Sequence, residues 1–480
     1  MRIPHIINSN TLKVYTPSTE CLQLVGETAR QIKAEDFTWN DALVPLLTDL
    51  ATQAINRNFE NKPTLDQLPC EDRNYLLQIL FLDLSLELII PLIDDEFYWQ
   101  RRYTEHFGLV TNRKPQAWTW KCLYLSRHVQ KIIEEAQPQY SDEENMNDIL
   151  DLCAPYTQRL LVTQLQRWQP PLTMEKEDIP EVYPIDHINL IFILRRLPQI
   201  SELRISYGVN EVGEDFQWDM FKLSVTDCVR LGKGVLELKQ IKILKVHRSN
   251  IEYKHCQALM QGLIRNRTLV ELDLSNCKIG DQGALCVAKV ISTHPTLKNL
   301  NLTNNRIGQI GAEGICYALT LETCARLDEV NFRLNPLGHE GVMGVLRAVI
   351  RCDIPRKLIL SGVNFEEETS WKLAQMIKHN TYLEGLDISN NWLGEEGGEF
   401  LCEGMEINKS LKWLDLRETD ITPAQHQTIK KLLKRNVTGI LQKDEEIQSQ
   451  QQPDTEEKVI TETTYKAENA EEKEGKGEKE

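Results

Sequence analysis

Ten histidines and twelve cysteines are the residues best able to do chemistry in this 480-residue chain, and their spacing gives them little to do. No two cysteines stand as C-x-x-C, and no Cys/His cluster has the spacing of zinc ligands. The phosphate-cradling G-x-x-x-x-G-K-[ST] loop, the metal-holding H-E-x-x-H helix and the G-x-S-x-G nucleophile turn are absent. His247 falls on a predicted strand, where a lone imidazole reads as an interface or surface residue rather than a ligand or base. The acids Glu395 and Glu396 fall in a predicted outer loop and read as solvated. Cys277, Cys286, Cys316 and Cys402 stand where a small buried side chain is wanted, so they read as reduced core thiols in a reducing compartment, the cytoplasm. No catalytic, metal or cofactor-binding residue is expected, and the chain reads as non-enzymatic.

The elements that carry these residues follow from a repeat. Leu269, Leu272, Leu274, Cys277 and Ile279 lie at offsets 0, 3, 5, 8 and 10. The same offsets recur from Leu297, Leu327, Leu383 and Leu411, and more weakly from Ile200, Ile241 and Pro355. The intervals between these starts are 41, 28, 28, 30, 28, 28 and 28 residues. Offsets 3 and 5 alternate with polar neighbours, as on a short strand with one face buried. Asn at offset 8 can satisfy backbone groups where the chain leaves the strand, and stacked copies predict an amide ladder. Glycine follows at Gly280, Gly308, Gly338 and Gly394, where a sharp bend is expected. Apolar residues then recur at helical spacing, one helix per repeat. Strand plus helix in 28 residues resembles the ribonuclease-inhibitor type of leucine-rich repeat, whose copies cannot bury an apolar face without stacked neighbours. The fold class is therefore α/β, a leucine-rich-repeat horseshoe of about eight repeats. It is expected over 186–438, after an all-α region at 1–185.

Charge and composition bound the rest. The formal net charge is −16, which argues against generic nucleic-acid binding. From Lys443 onward there are 13 acids and 6 lysines with few large apolar residues, so 439–480 reads as a disordered acidic tail. Met1-Arg-Ile-Pro-His starts no charged-then-apolar leader. The most apolar stretch, Leu76–Ile93, contains Gln78, Asp83, Glu87 and Pro91, and reads as a core helix rather than a membrane span.

What remains is a surface. Strand alternation puts offset 4 on the concave face, giving Arg204, Lys245, Asp273, Asn301, Asn331, Ile359, Asp387 and Asp415 in order. Lys242, His247 and Arg248 extend the basic end, and Glu384 and Glu418 the acidic end. Trp413, at offset 2, points outward and is an anchor candidate. A face grading from basic through neutral to acidic is expected to bind protein.

Two resemblances bear on which protein. Leu68-Pro-Cys-Glu, Ile79-Leu-Phe, Asp95–Arg102 and Trp118-Thr-Trp-Lys are similar to a degenerate F-box at 64–125, which implies a ubiquitin-ligase substrate adaptor. Trp99-Gln-Arg-Arg-Tyr-Thr-Glu-His-Phe-Gly, Trp120-Lys-Cys-Leu-Tyr and Leu165–Pro171 precede repeats containing Asp273-Leu-Ser-Asn-Cys and Asp387-Ile-Ser-Asn-Asn-Trp-Leu-Gly. That combination, over roughly residues 20–435, resembles the t-complex-associated testis-expressed family, the leucine-rich-repeat subunit 5 of the nexin–dynein regulatory complex. It implies a scaffold in the cytoskeleton of the cilium or flagellum, within the axoneme, that helps regulate dynein-driven motility. The implied partners are other subunits of that complex, together with doublet microtubules and axonemal dyneins, and not nucleic acid or membrane. A third reading, regulation of a GTPase, rests on other solenoids of this repeat length.

Overall fold

The structure, a computed structural model, describes residues 46–108, 118–140, 143–170, 173–174, 186–210, 218–364 and 367–451. The chain divides into two compact units, Met1–Leu88 and Ile89–Glu480. In the first, helices α1 (Leu47–Arg57) and α2 (Cys70–Ile79) are tied by Asn56. Its Nδ2 donates to the Ile79 carbonyl at 2.9 Å and its Oδ1 accepts from the Phe81 N–H at 3.2 Å. The apolar stretch expected as one core helix is broken. Helix α2 ends at Ile79, and α3 (Leu86–Leu92) begins after a turn through Asp83 and Ser85. No helix among the described residues is long and apolar enough to cross a membrane.

The second unit opens with α4 (Glu96–Phe107), α5 (Trp120–Glu135) and α6 (Glu143–Cys153). Caps set where two of these begin. Asp95 accepts from the Tyr98 N–H at 2.7 Å, and Thr119 from the Cys122 N–H at 3.1 Å. Their core is aromatic: Tyr98, Trp99 and Tyr124 are fully buried, with Trp99 5.4 Å from Tyr124. Two cations are buried among them. The Lys121 ammonium donates to the Ile90 carbonyl at 2.6 Å and pairs with Asp94 at 2.5 Å, 4.7 Å from the Tyr156 ring centroid. The Arg102 guanidinium lies 5.1 Å from the Tyr124 centroid. Thus the segments Trp99–Gly108 and Trp120–Tyr124, which carry much of the resemblance, supply core side chains, Trp99 and Arg102 from the first and Lys121 and Tyr124 from the second.

Nine strands then form one parallel sheet in chain order: β1 (Arg159–Val162), β2 (Glu202–Ile205), β3 (Ile243–Val246), β4 (Glu271–Asp273), β5 (Asn299–Asn301), β6 (Glu329–Asn331), β7 (Lys357–Ile359), β8 (Gly385–Asp387) and β9 (Trp413–Asp415). Between strands run α7 (Leu190–Arg196), α8 (Val225–Glu237), α9 (Tyr253–Leu263), α10 (Gly280–Ile291), α11 (Gln309–Leu319), α12 (Gly338–Arg351), α13 (Glu367–His379) and α14 (Gly394–Ile407). Offset-3 residues Leu203, Leu244, Leu272, Leu300, Val330, Leu358 and Leu386 are all buried between sheet and helices. Successive helices pack closely: a Cβ at Gly262 would meet the backbone of Gly232 at 2.6 Å, so α8 and α9 touch backbone to backbone.

The region expected to be all-helical therefore ends in a strand. β1 pairs with β2, Leu160 opposite Leu203 and Val162 opposite Ile205, and makes a ninth rung where about eight were expected. At the far end, α15 (Pro423–Gln451) runs past residue 438, where the solenoid was expected to stop. Gln, Glu and Lys are good helix formers, so a helix seeded on the solenoid propagates into polar sequence. The remainder of the expected tail lies outside the described residues.

The amide ladder is present. Asn335 Nδ2 donates to the Leu302 and Phe332 carbonyls at 2.8 and 2.9 Å, and its Oδ1 accepts from the Asn305 and Ile307 N–H groups at 2.8 and 3.1 Å. Asn391 repeats the arrangement with Leu360, Ile388 and Val363. At this offset Cys277 donates its thiol to the Val246 carbonyl at 3.5 Å.

Candidate protein-binding surface

Helices cover one face of the sheet, leaving the other as the candidate surface. Strand register sets its first row: Arg204, Lys245, Asp273, Asn301, Asn331, Ile359, Asp387 and Asp415 pair in sequence from β2 to β9. A second row, at offset 2, runs Arg159, Glu202, Ile243, Glu271, Asn299, Glu329, Lys357, Gly385 and Trp413.

These rows do not present the expected gradient of charge, because the charges pair within β2 and across neighbouring strands. Arg204 Nε lies 2.5 Å from Glu202, and Arg159 pairs with the same carboxylate group at 2.9 Å. Lys245 pairs closely with Glu271, and Lys357 pairs with Glu329 at 3.2 Å. Offset 1 forms a chain of alternating sign: Lys298–Asp328, Arg356–Asp328, Arg356–Glu384 and Lys412–Glu384, at 3.7, 3.9, 3.9 and 3.0 Å. Reading offset 1 alongside offset 4 would have shown that the supposed acidic end is interleaved with bases. Exposed pairs of this kind contribute little stability each, about 0–1 kcal/mol.

The acids and amides of the first row have a structural task. Asp273 accepts from the Ser275 N–H at 2.9 Å, Asn301 from Thr303 at 3.1 Å, Asn331 from Arg333 at 2.9 Å, and Asp387 from Ser389 at 3.0 Å. Asp415 accepts from the Arg417 N–H at 3.1 Å. Each is an Asx turn closing the end of its strand. Asp387 is only 7% exposed and also accepts from the Ser389 hydroxyl at 2.7 Å, so it is no surface residue. Hydrogen bonds from Arg417 hold the Asp415 carboxyl below the usual carboxylate range.

The other predicted positions scatter. Lys242 is exposed beside β3. His247 lies just beyond β3, half-buried, and burial lowers its imidazole below its ordinary value against the opposing pull of Asp273. Arg248 is exposed with φ 52°. Trp413 is 44% exposed on the open face, with the Lys357 ammonium 5.6 Å from its ring centroid. Gly385 lies between them: a Cβ there would meet Lys357 Cγ and Trp413 Cε3 at 3.3 Å each. This preformed aromatic platform needs a glycine at offset 2, and Gly385 is the one glycine in that row.

A Ser-Asp-His grouping also occurs, and it is a fold element. His187 Nδ1 lies 2.8 Å from Asp227 Oδ2, their side chains 0% and 1% exposed. Ser224 Oγ accepts from the Asp227 N–H while Asp227 accepts from the Ser224 N–H, the capping box that starts α8. The hydroxyl is committed to the helix end and the imidazole is sealed from solvent, so the grouping ties the segment before α7 to α8. Among the described residues no cluster of three His, Cys, Asp or Glu could hold a metal ion. The thiols of Cys153, Cys277 and Cys316 are pushed up to about 12 by burial, which makes them inert core groups.

A parallel sheet built one strand per repeat, with an outer helix layer and an inner amide ladder, defines a leucine-rich-repeat solenoid of the ribonuclease-inhibitor type. The family described as Leucine Rich repeat matches residues 265–288, 293–316 and 379–402. Pig (Sus scrofa) ribonuclease inhibitor is 28% identical over 192 residues, 39% of this chain and 41% of its own. More specifically, the chain is similar to dynein regulatory complex subunit 5 of Mus musculus, 34% identical over 272 residues, 54% of each chain. The protein of that name in Chlamydomonas reinhardtii is 28% identical over 211 residues, 44% of this chain and 49% of its own. The resemblance stated above is thereby borne out. The chain spans about half the length of the curated relatives it matches.

Proposed function

We propose that this chain is a non-enzymatic scaffold subunit of the nexin–dynein regulatory complex. It would reside in the axoneme of cilia or flagella, bind neighbouring subunits through its solenoid and help regulate dynein-driven motility, with doublet microtubules and axonemal dyneins in reach. The observation that carries the reading is that relatives from Mus musculus to Chlamydomonas reinhardtii with this match bear one subunit name. The open sheet face supports the mode of action, because its polar groups are occupied by Asx turns and cross-strand pairs, leaving Trp413 as an exposed aromatic anchor.

The test is to express the tagged chain in ciliated cells that lack their own copy, wash the axonemes with salt, and identify cross-linked neighbours by mass spectrometry. Retention with other subunits of the complex is expected. Wash-out, or purification with a cullin ligase through 64–125, would overturn the reading in favour of the adaptor. Trp413→Ala should keep its circular dichroism yet bind about thirtyfold less well, as an interface anchor contributing about 2 kcal/mol would require.

A further inference from the structure

The C-terminal ends of β3, β4 and β5 frame a cavity of about 600 Å³. Its described lining includes Arg248, Lys278 and Arg306 together with Asn250, Asn276 and Asn304, and contains no carboxylate. In a chain of net charge −16 that is a marked local reversal of sign. The Asn304 amide donates to Asn276 Oδ1 at 3.0 Å, which fixes the two amides side by side.

The backbone beneath is rigid and strained. Offset 7 of each of the last seven repeats is left-handed, with φ near 55° at Arg248, Asn276, Asn304, Leu334, Asn390 and Glu418, and Gly362 at 63°. Each rung is bonded to the next: the Arg248 N–H donates to the Ser275 carbonyl at 3.3 Å, Asn276 to Thr303 at 2.8 Å, and Asn304 to Arg333 at 2.8 Å. Asn and Gly take this conformation cheaply, and arginine does not. Arg306, at offset 9, is also left-handed with φ 58°, where Asn364 and Asp420 hold the bend in other repeats. Both strained arginines are exposed and face the same cavity. The left-handed bend recurs along the solenoid, at Leu334 and Glu418 among others, so it belongs to the repeat; particular to this place are two exposed arginines held on that bend around one cavity.

We infer that this cavity binds an acidic peptide segment of a partner protein. A cavity of this size holds a few residues. Guanidinium groups pair with carboxylates in two-pronged fashion, and rigid loops lower the ordering cost of binding. A long polyanion such as nucleic acid would meet the field of the whole acidic chain, whereas a short acidic segment meets mainly the local bases. The inference rests on the scaffold reading and names the kind of partner this end of the solenoid takes.

The test uses the full chain and a fluorescent oligoglutamate peptide, read by anisotropy at low and high salt. Arg248→Asn combined with Arg306→Asn supplies the residue that suits left-handed backbone, so misfolding cannot explain a loss. We expect affinity to fall at least about tenfold, with an unchanged or raised Tm, while Lys412→Ala, in the paired chain on the sheet, leaves affinity unchanged. No binding by the native chain, equal affinity in the double variant, or an equal loss in Lys412→Ala would overturn the proposal. Tighter binding of a single-stranded oligonucleotide of matched charge would overturn the assignment to a peptide. Peptide binding lost by the double variant in a chain that washes out of axonemes regardless would support the cavity and sink the scaffold reading alone.

Discussion

The helical segment of the second unit and the repeats that follow bury polar groups by opposite means. From Glu96 to Tyr156 the buried polar groups are one-off solutions: Lys121 and Arg102 each lie among aromatic rings, and Gln130 donates to Glu134 at 2.8 Å. From Ile241 to Thr419 one solution recurs in most repeats: a side chain at offset 8 serves the backbone where the strand ends, and an Asx residue at offset 4 closes the turn, with Lys245, Ile359 and Val363 the departures. A period can be read without knowing the fold, whereas a unique cluster can be read only by likeness to another chain. The difference also sets how damage should spread, since a solenoid shares each rung with its neighbours.

The largest effect is expected from Leu300→Asp. Leu300 is 1% exposed between β4 and β6, and a carboxylate there has no partner, costing at least several kcal/mol. The soluble folded fraction should collapse; an unchanged Tm would refute the stacked register. Asn335→Ala should come next, at about 3 kcal/mol, because it orphans two carbonyls and two N–H groups on adjoining rungs. Hydrogen exchange should then quicken at β5 and β6 together. Confinement of the change to one rung would break the contrast between the regions.

Lys121→Met should cost about 2 kcal/mol, the worth of a charge-assisted bond to the Ile90 carbonyl offset by better burial of the stem. Its signature is local. Protection should fall across α4 and α5 while the strands from β4 onward keep theirs. Loss of protection in the distant repeats would mean that the helical segment and the solenoid behave as one cooperative element.

Each region also contains one imidazole that burial drives down to about 4: His128 in α5, stacked on Tyr124, and His294 after α10. The ordinary value is about 6.5, so between about 6.5 and 4 the unfolded chain binds the protons that the folded chain refuses. Stability from both groups is complete above that window and declines as pH falls through it. His294 stands three residues before a repeat start, where Asn266, Asn380 and Asn408 bond the backbone beyond them. His294→Asn should therefore flatten the acid limb of Tm against pH without altering its neutral plateau downward. An unchanged acid limb would assign the whole effect to His128 and the helical segment.

Much of the solenoid was legible because its spacing is strict, and the failures have physical causes. β1 was missed because its repeat begins with a polar residue, Thr157, and an interval of irregular length separates it from Ile200. The surface was half legible. Alternation put Arg204 to Asp415 in one row, but alternation is silent on whether a polar residue faces solvent or its own backbone, and Asp387 faces its backbone. Asp and Asn two residues before Ser, Thr or Arg, recurring with the period of the repeat, carry that signal in the sequence.

The smallest expected effect concerns the left-handed position at offset 7, which the sequence disguises by placing Arg, Leu and Glu among the Asn and Gly. Leu334 holds φ 56° with its side chain 49% exposed. Its N–H still donates to the Ser361 carbonyl at 2.8 Å, so the rung is intact and the conformation is imposed by the neighbours. A leucine there bears the left-handed cost of about 1–2 kcal/mol, which asparagine largely avoids. Against that gain stands the loss of a partial contact between the leucine side chain and the backbone at Gly362, where Leu334 Cδ2 stands 3.0 Å from the position a Cβ would take. Leu334→Asn should thus stabilise by about 0.5–1 kcal/mol and raise Tm by about 1–2 °C. The same exchange at a helical-segment residue such as Leu125, fully buried among aromatics, should instead cost several kcal/mol. A drop in Tm for Leu334→Asn would mean that the exposed leucine contributes more to rung stacking than its backbone takes away, and that the periodic bend is no reservoir of strain.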